Sequence, residues 1–211
     1  MPLIAPPCRR QLQRTIFICL LLAPFASASD WKYEETSSDV RDFVSDGVLH
    51  VRLSVGDIRI TSGDSNKIRL RYTVKRHHRS SSVKDVGVDF VIRGNDASIE
   101  FHAPSWNNTE VDVELEIPQN TSLDVHQKVG DLTIEDIAGD KDLTLSVGDI
   151  RVARSRTDYR RVDASTSIGD VNGNGYGETS GWLGKTLKYH GDGKYELRAH
   201  VSVGDITLEG K

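Results

Sequence analysis

Five aspartates stand in the same short phrase, and their carboxylates are the first candidates for chemistry in this chain. Each follows a glycine, and the Gly-Asp pair lies between two aliphatic residues. The pairs are Gly56-Asp57, Gly130-Asp131, Gly148-Asp149, Gly169-Asp170 and Gly204-Asp205. Stacked carboxylates could bind Ca²⁺, as glycine-aspartate repeats do in some secreted β-rolls. Calcium needs 6–8 oxygen ligands, whereas each phrase supplies one carboxylate, so the pattern favours turn capping over a calcium site.

The histidines and one lysine-threonine pair were the other candidates for catalysis or cofactor binding, and their spacing supports neither. His77 and His78 are adjacent, so on a strand they point to opposite faces, and no His-x-x-x-His spacing occurs. Gly184-Lys185-Thr186 resembles the end of a phosphate-binding loop, but Thr179 stands where that motif requires glycine. No Ser/His/Asp set can be singled out either. We therefore expect no metal site and no cofactor.

One glycine-rich interval carries three aromatic residues suited to contact with a partner. It lies at 172–193 and contains Tyr176, Trp182 and Tyr189. Long loops on rigid scaffolds concentrate function, and Tyr and Trp are favoured at protein and carbohydrate contacts. Two interpretations stay open. The interval is a partner-contact loop, or Trp182 folds down as a lid over the open end of the stacked strands.

Short β-strands must position these residues, because apolar residues alternate with period two on both sides of each phrase. Leu145 and Val147 precede Gly148, and Ile150 and Val152 follow it. The step from Val147 to Ile150 is three residues, so an unbroken strand would send the second pair to the wrong face. A bulge or corner with glycine at positive φ restores the phase. The five phrases therefore predict the corners of a repeated β-coil.

The spacing of the phrases predicts how the coils stack. Asp131 and Asp149 are 18 residues apart and Asp149 and Asp170 are 21 apart, and both lengths suit one coil. The 35 residues from Asp170 to Asp205 exceed one coil, and 172–193 holds the excess. The 74 residues from Asp57 to Asp131 predict about four coils, filled by degenerate turns.

Two segments of complementary charge predict a strand pair. Alternate residues of 67–75 are basic, and alternate residues of 110–117 are acidic. A stack of four carboxylates repels itself unless cations lie beside it, so we expect the two segments to pair or to be solvated, with an external cation or basic partner as the alternative. Residues 86–92 and 98–102 predict a hairpin across 94–96.

The N-terminal residues predict export. Arg9, Arg10 and Arg14 precede a short apolar run, and Ala26-Ser27-Ala28 has the small-residue pattern of a signal-peptidase site. The apolar run at 16–22 is far shorter than the ~20 residues that span a bilayer. We expect cleavage after Ala28, and a lipoprotein site at Cys19 is the weaker alternative.

Composition fits one exported domain that carries no disulfide. The chain has 211 residues, of which 37% are hydrophobic, and a net charge of −4, which argues against general nucleic-acid binding. Both cysteines lie in the predicted leader, so hydrophobic burial and strand pairing must hold the fold. We expect a signal peptide at 1–28, a partly ordered leading segment at 29–47, and a repeat domain at 48–211. No membrane span is expected in the mature chain.

Several phrases carry a resemblance to a known family. They are Val113-Glu114-Leu115-Glu116-Ile117-Pro118, Ser122-Leu123-Asp124-Val125, Val129-Gly130-Asp131-Leu132-Thr133-Ile134 and the later copies of Ser-Val-Gly-Asp-Ile. In these the chain resembles the bacterial putative-adhesin family of β-strand repeat domains, over roughly residues 48–208. The resemblance implies a single-chain β-solenoid on an exported or envelope-anchored protein, an adhesive role, and no general catalytic site.

The sequence as a whole predicts an all-β, single-chain β-solenoid with Val-Gly-Asp-Ile corners. We expect an exported, non-enzymatic interaction or structural module of the cell envelope, periplasmic or secreted, whose partner is an envelope protein or a surface glycan. The alternatives are a carbohydrate-active β-solenoid enzyme and a periplasmic envelope-stress sensing module. Acidic side chains from successive coils that meet in one cleft would favour the enzyme, whereas outward ladders of Ser, Thr and Asp favour the binding module.

Overall fold

The computed structural model describes residues 33–63, 66–76, 85–153 and 158–210. The predicted signal peptide at 1–28 lies outside the described residues. Every regular element within them is a β-strand, which confirms the all-β prediction. None of the described residues belongs to a helix long and apolar enough to cross a membrane.

Seventeen strands follow one another along the described residues. They are β1 (Tyr33–Asp42), β2 (Val48–Val55), β3 (Ile58–Gly63), β4 (Lys67–Arg76), β5 (Gly87–Arg93), β6 (Asp96–His102), β7 (Thr109–Pro118), β8 (Ser122–Val129), β9 (Leu132–Glu135), β10 (Lys141–Val147), β11 (Ile150–Ala153), β12 (Tyr159–Ile168), β13 (Val171–Asn174), β14 (Thr179–Ser180), β15 (Thr186–His190), β16 (Tyr195–Val203) and β17 (Ile206–Glu209).

The strands form two sheets that share one hydrophobic core. Sheet I has eight strands in the order β1-β4-β7-β3-β9-β11-β17-β13, and sheet II has nine in the order β14-β15-β12-β16-β10-β8-β2-β6-β5. Alternate residues of each strand point inward, such as Leu49 and Val51 in sheet II and Ile58 and Ile60 in sheet I, and all four are almost fully buried. Burial of these aliphatic side chains holds the two sheets together.

The centre of the fold consists of layers, each made of one strand of sheet II and the following strand of sheet I. Strands of neighbouring layers pair in parallel. The six layers lie in the order β6–β7, β2–β3, β8–β9, β10–β11, β16–β17 and β12–β13. The last layer in the sequence therefore lies between the two layers that precede it in the chain.

The prediction of about four coils between Asp57 and Asp131 is wrong. This interval contains a single layer, β6–β7, whose strands are joined by residues 103–108 instead of a Gly-Asp phrase. Besides β3 and β8, which belong to the layers β2–β3 and β8–β9, it contains β4 and β5, which pair antiparallel with β7 and β6. Antiparallel strands need only a short turn, so the chain can fold back at the end of the stack.

The expected leading segment contributes a regular strand. Ten of its residues form β1, which pairs antiparallel with β4 along its whole length, and β1 is the edge of sheet I. The predicted hairpin is confirmed, because β5 and β6 pair antiparallel across Gly94 and Asn95.

Candidate functional site

Each Gly-Asp phrase lies where the chain leaves sheet II and enters sheet I. The five glycines have φ angles between 121° and 136°, in the left-handed region that side chains rarely adopt. A Cβ atom on Gly148 would lie 2.1 Å from the carbonyl oxygen of Gly130 in the neighbouring layer. The layers therefore approach backbone to backbone at these positions, and a side chain has no room.

The five aspartates, which we call the aspartate row, connect the layers by hydrogen bonds. The Asp131 N–H donates to Oδ1 of Asp57 at 2.8 Å, and the Asp149 N–H donates to Oδ1 of Asp131 at 3.0 Å. The Asp205 N–H donates to Asp149, and the Asp170 N–H donates to Asp205, at 2.8 and 2.7 Å. One oxygen of a carboxylate thus satisfies a backbone donor of the next layer, in the order of the stack.

The residue before the glycine is exposed in four of the five phrases, and Val55 in the fifth is half-buried, which corrects the prediction that Val147 continues the inward alternation. Val129, Val147, Val203 and Ile168 are 43%, 46%, 43% and 50% exposed, and we call these four the aliphatic row. Their strands pair in register, so each lies beside the next. The alternation between inward and outward side chains shifts before the glycine and not at it, because Leu145 is buried and the two residues after it both face solvent.

The three aromatic residues of 172–193 do not lie on one surface. Tyr176 is only 2% exposed, and its ring centroid lies 5.3 Å from that of Tyr189 and 6.3 Å from that of Tyr159. The prediction that Tyr176 contacts a partner is therefore wrong, because its ring fills the core at the end layer of the stack, β12–β13. Tyr189 is partly buried against the same core.

Trp182 is 96% exposed, and Leu183 beside it is 65% exposed. The interpretation of Trp182 as a lid is therefore wrong. Strand β15 covers this end of sheet II instead, since it pairs antiparallel with β12 and in turn pairs with β14. The Gly169 N–H donates to the carbonyl oxygen of Leu183 at 3.5 Å. Trp182 and Leu183 therefore lie beside the corner of the end layer, β12–β13.

Histidines on the outer face of sheet II pair with polar side chains of the same strand or of neighbouring strands. His50 Nδ1 lies 2.7 Å from Asp124 Oδ2, and His126 Nε2 lies 2.9 Å from Asp124 Oδ1. His200 Nδ1 lies 3.0 Å from Ser165 Oγ. The partners of His50 and His200 are 74 and 35 residues away in the chain, so sequence spacing could not show them. The contacts satisfy polar groups at the surface.

Three carboxylates from two neighbouring layers come together at one end of the aspartate row. One oxygen from each of Asp57, Glu110 and Asp112 lies within 4.8 Å of the others. Lys75 of β4 lies among them, with its Nζ 3.7 Å from Glu110 and in a short ion pair with Asp112. The carboxylates could hold a cation only in competition with this ammonium group.

The charges of this group shift one another's proton affinity. Burial raises the pKa of Glu110, against the lowering effect of Lys75. Burial works to lower the pKa of Lys75, but its hydrogen bond to Asp112 and the nearby carboxylate charges raise it above the ordinary value of 10.5. Lys75 therefore stays cationic at neutral pH and compensates the carboxylates.

The predicted pairing of the basic and acidic segments is confirmed. Strands β4 and β7 are antiparallel neighbours, with Arg69 opposite Glu116, Arg71 opposite Glu114 and Lys75 opposite Glu110. Arg69 and Glu116 form an ion pair, as do Arg71 and Glu114 at 4.0 Å. A groove of 460 Å³ lies over these side chains on sheet I, and Arg59, which also lines it, pairs with Glu135 of β9.

Comparisons with known proteins agree with this architecture. A crystal structure of a putative cell adhesion protein from Clostridium sporogenes has a TM-score of 0.52 at 14% identity, over 84% of this chain and 100% of that one. A putative adhesin from Bacteroides fragilis has a TM-score of 0.28 at 10% identity, over 82% of this chain and 97% of that one, which is too low for a statement about fold. No curated protein matches the chain. The family model described as Toastrack DUF4097 matches residues 48–172, more than half of the sequence, so the chain belongs to the Toastrack DUF4097 family.

Proposed function

We propose that this protein is an exported, non-enzymatic interaction or structural module of the cell envelope, in which the Gly-Asp phrases are the corners of a β-solenoid. Membership of the Toastrack DUF4097 family and the fold shared with a putative cell adhesion protein support an adhesive module. Its partner is an envelope protein or a surface glycan, and its location is periplasmic or at the cell surface.

The exposed pair Trp182 and Leu183 is the observation that carries this proposal. Large apolar side chains that are held exposed to solvent are typical of contact surfaces, and Trp is among the residue types most enriched at binding hot spots. The segment is held in place, because the Thr166 N–H donates to the Lys185 carbonyl at 2.8 Å and the Lys185 N–H donates to Thr166 Oγ1 at 3.1 Å. A rigid backbone therefore presents these side chains to solvent.

Binding of the fluorescently labelled mature protein to isolated cell envelopes tests the proposal. We expect the variant Trp182→Ser with Leu183→Ser to bind at least ten-fold more weakly than the wild type. The matched control is Val40→Ser with Val91→Ser, which removes two valines that are 53% and 41% exposed elsewhere on the surface. Equal binding of both variants and the wild type would contradict a contact role for the pair.

Export is tested separately by mass spectrometry of the protein recovered from the periplasm or the medium. We expect the loss of about 28 residues, as the leader pattern predicts. An intact leader on the exported protein would contradict cleavage and would favour an anchor.

A carbohydrate-active enzyme is the second candidate, and the carboxylates Asp57, Glu110 and Asp112 are the observation that favours it. Paired carboxylates cleave glycosidic bonds, but here Lys75 pairs with two of the three. We expect no release of reducing ends from envelope glycans by the wild type. Hydrolysis that disappears in Asp112→Asn would favour the enzyme over the binding module.

A further inference from the structure

The aliphatic row and the aspartate row lie along the same corner of the stack. In four neighbouring layers the two residues flank one glycine, as Val147 and Asp149 flank Gly148. Neighbouring strands lie about 4.7–4.9 Å apart, so the four aliphatic side chains span about 14 Å and the five carboxylates span about 19 Å. The corner therefore presents a continuous apolar line beside a continuous anionic line.

Apart from Lys75, which lies near Asp57 at one end, no cation of the described residues is paired with the anionic line. None of the ion pairs among the described residues includes one of the five aspartates, although all five are exposed. Like charges in register on adjacent strands repel one another, so a cation that binds along the row would lower this repulsion. A row of exposed β-branched side chains beside it gives the same ligand apolar surface to cover.

We propose that this corner binds an extended segment of a partner protein in which basic and apolar residues alternate. Side chains of an extended chain point alternately to opposite sides. A segment that lies along the stack thus places its apolar side chains on the aliphatic row and its basic side chains on the aspartate row. At about 3.3 Å per residue, six residues cover the about 19 Å of carboxylates.

Charge complementarity selects this occupant. An anionic lipid surface would be repelled by five carboxylates, and a neutral glycan would leave them uncompensated. The apolar line also continues beyond Ile168 to Leu183 and Trp182, because the Leu183 carbonyl oxygen accepts the Gly169 N–H at the corner of the end layer, β12–β13. The loop and the corner therefore form one contact surface, and the inference rests on the proposed function that the chain is an interaction module.

Fluorescence anisotropy of labelled synthetic peptides tests the assignment. The probe is an eight-residue peptide of alternating Lys and Val, and the controls are a peptide of four Lys followed by four Val and a peptide of alternating Glu and Val. We expect the alternating basic peptide to bind at least ten-fold more tightly than the block peptide, with an affinity that falls as salt rises. Equal binding of the alternating and block peptides would reduce the effect to general electrostatics and overturn the proposal.

Paired variants locate the binding surface. Asp149→Asn with Asp205→Asn keeps amide oxygens that can accept the backbone hydrogen bonds, and Asp142→Asn removes an exposed charge on the outer face of sheet II. We expect the first variant to weaken peptide binding at least five-fold and the second to leave it unchanged. The same contrast is expected between Val147→Ser with Val203→Ser and the control Val40→Ser with Val91→Ser.

Two further outcomes separate this inference from the proposed function. If Trp182 and Leu183 are needed for envelope binding but the alternating peptide does not bind, the interaction module stands and the corner assignment falls. Binding of phosphatidylcholine vesicles or of peptidoglycan fragments that is lost in the corner variants, without peptide binding, would also overturn the peptide assignment. Thermal unfolding of each variant near the wild-type temperature shows that the fold is intact.

Discussion

Two rows of carboxylates cross sheet I and its corner, and they differ in what lies beside them. The acidic residues of β7 face the basic residues of β4, with Arg69 on Glu116 and Lys75 on Glu110 and Asp112. The aspartates of the corner lie beside one another, and Asp57 alone also lies beside Glu110 and Asp112. The rows meet where Asp57 lies beside Asp112, because Ile58 pairs with Val113 in register.

This difference distinguishes the charges that stabilise the fold from those that remain for a partner. The β7 carboxylates have internal cations, so their charge is used in pairing one strand with another. Four of the corner carboxylates use one oxygen for a backbone donor of the next layer, as Asp131 does for Asp149, but none of the five forms an ion pair among the described residues. Similar acidic patterns in the sequence thus have different physical roles, set by the neighbouring strand.

Gly148→Val has the largest expected effect on the stability of the corner. The new residue would need a φ near 131° and a Cβ atom 2.1 Å from the Gly130 oxygen, so we expect a loss of ~3 kcal/mol or more in unfolding free energy. Urea melts measure this loss. Ser146→Ala, at an exposed neighbouring position, should change stability by less than ~0.5 kcal/mol.

A second glycine provides the matched control for Gly148→Val. A Cβ atom on Gly87 would meet nothing within 4 Å, and its φ lies outside the left-handed region, so Gly87→Ala should be tolerated. If Gly148→Val cost no more than Gly87→Ala, the corner would not require its special backbone conformation.

Lys75→Met tests the compensated row. It removes the cation beside Glu110 and Asp112 while it keeps a long apolar side chain, and the pair is partly buried. We expect a loss of about 1–2 kcal/mol, between the values typical of exposed and of buried ion pairs. Chemical denaturation at pH 7 measures it, and Lys67→Met, whose partner Asp42 is largely exposed, serves as the control with a smaller expected loss.

Local patterns predicted the strands and the charged pair, but not the order of the layers. Complementary charge on alternate residues was enough to pair β4 with β7, because few other segments could neutralise four carboxylates. Every Gly-Asp layer, in contrast, presents nearly the same edge to its neighbours. The sequence therefore does not distinguish a stack in chain order from the observed one, in which β16–β17 lies between β10–β11 and β12–β13.

The candidate site was predicted only in part for a related reason. Tyr176 and Trp182 lie in the same glycine-rich interval, where no periodicity separates inward from outward positions, yet one is 2% exposed and the other 96%. The aliphatic row was not predicted because apolar residues alternate in the sequence without a break as far as Val147. The backbone shifts phase just after Leu145, and the sequence has no separate signal for that shift.

Asp149→Ala and Asp149→Asn separate the contribution of hydrogen bonding in the aspartate row from that of charge. Alanine removes the acceptor of the Asp205 N–H, so we expect a loss of about 1 kcal/mol. Asparagine keeps an acceptor oxygen and relieves repulsion in the row, so its effect on stability should be within ~0.5 kcal/mol. Thermal melts measure both, with and without CaCl₂. A large calcium-dependent rise in melting temperature that Asp149→Asn abolishes would favour a calcium site over capping.

The smallest expected effect is the pH dependence of Glu110→Gln, which tests the compensated row at its most buried acid. Burial raises the pKa of Glu110 above its ordinary value of 4.5, so the folded state binds this proton more tightly than the unfolded state. The resulting stability is present below pH 4.5 and is lost as pH rises through the raised pKa. The wild type should therefore lose stability relative to Glu110→Gln between pH 4 and pH 7. Lys75 lowers this pKa, so the loss should grow in the Lys75→Met background, and thermal melts of the four proteins that show no such growth would contradict the assigned role of Lys75.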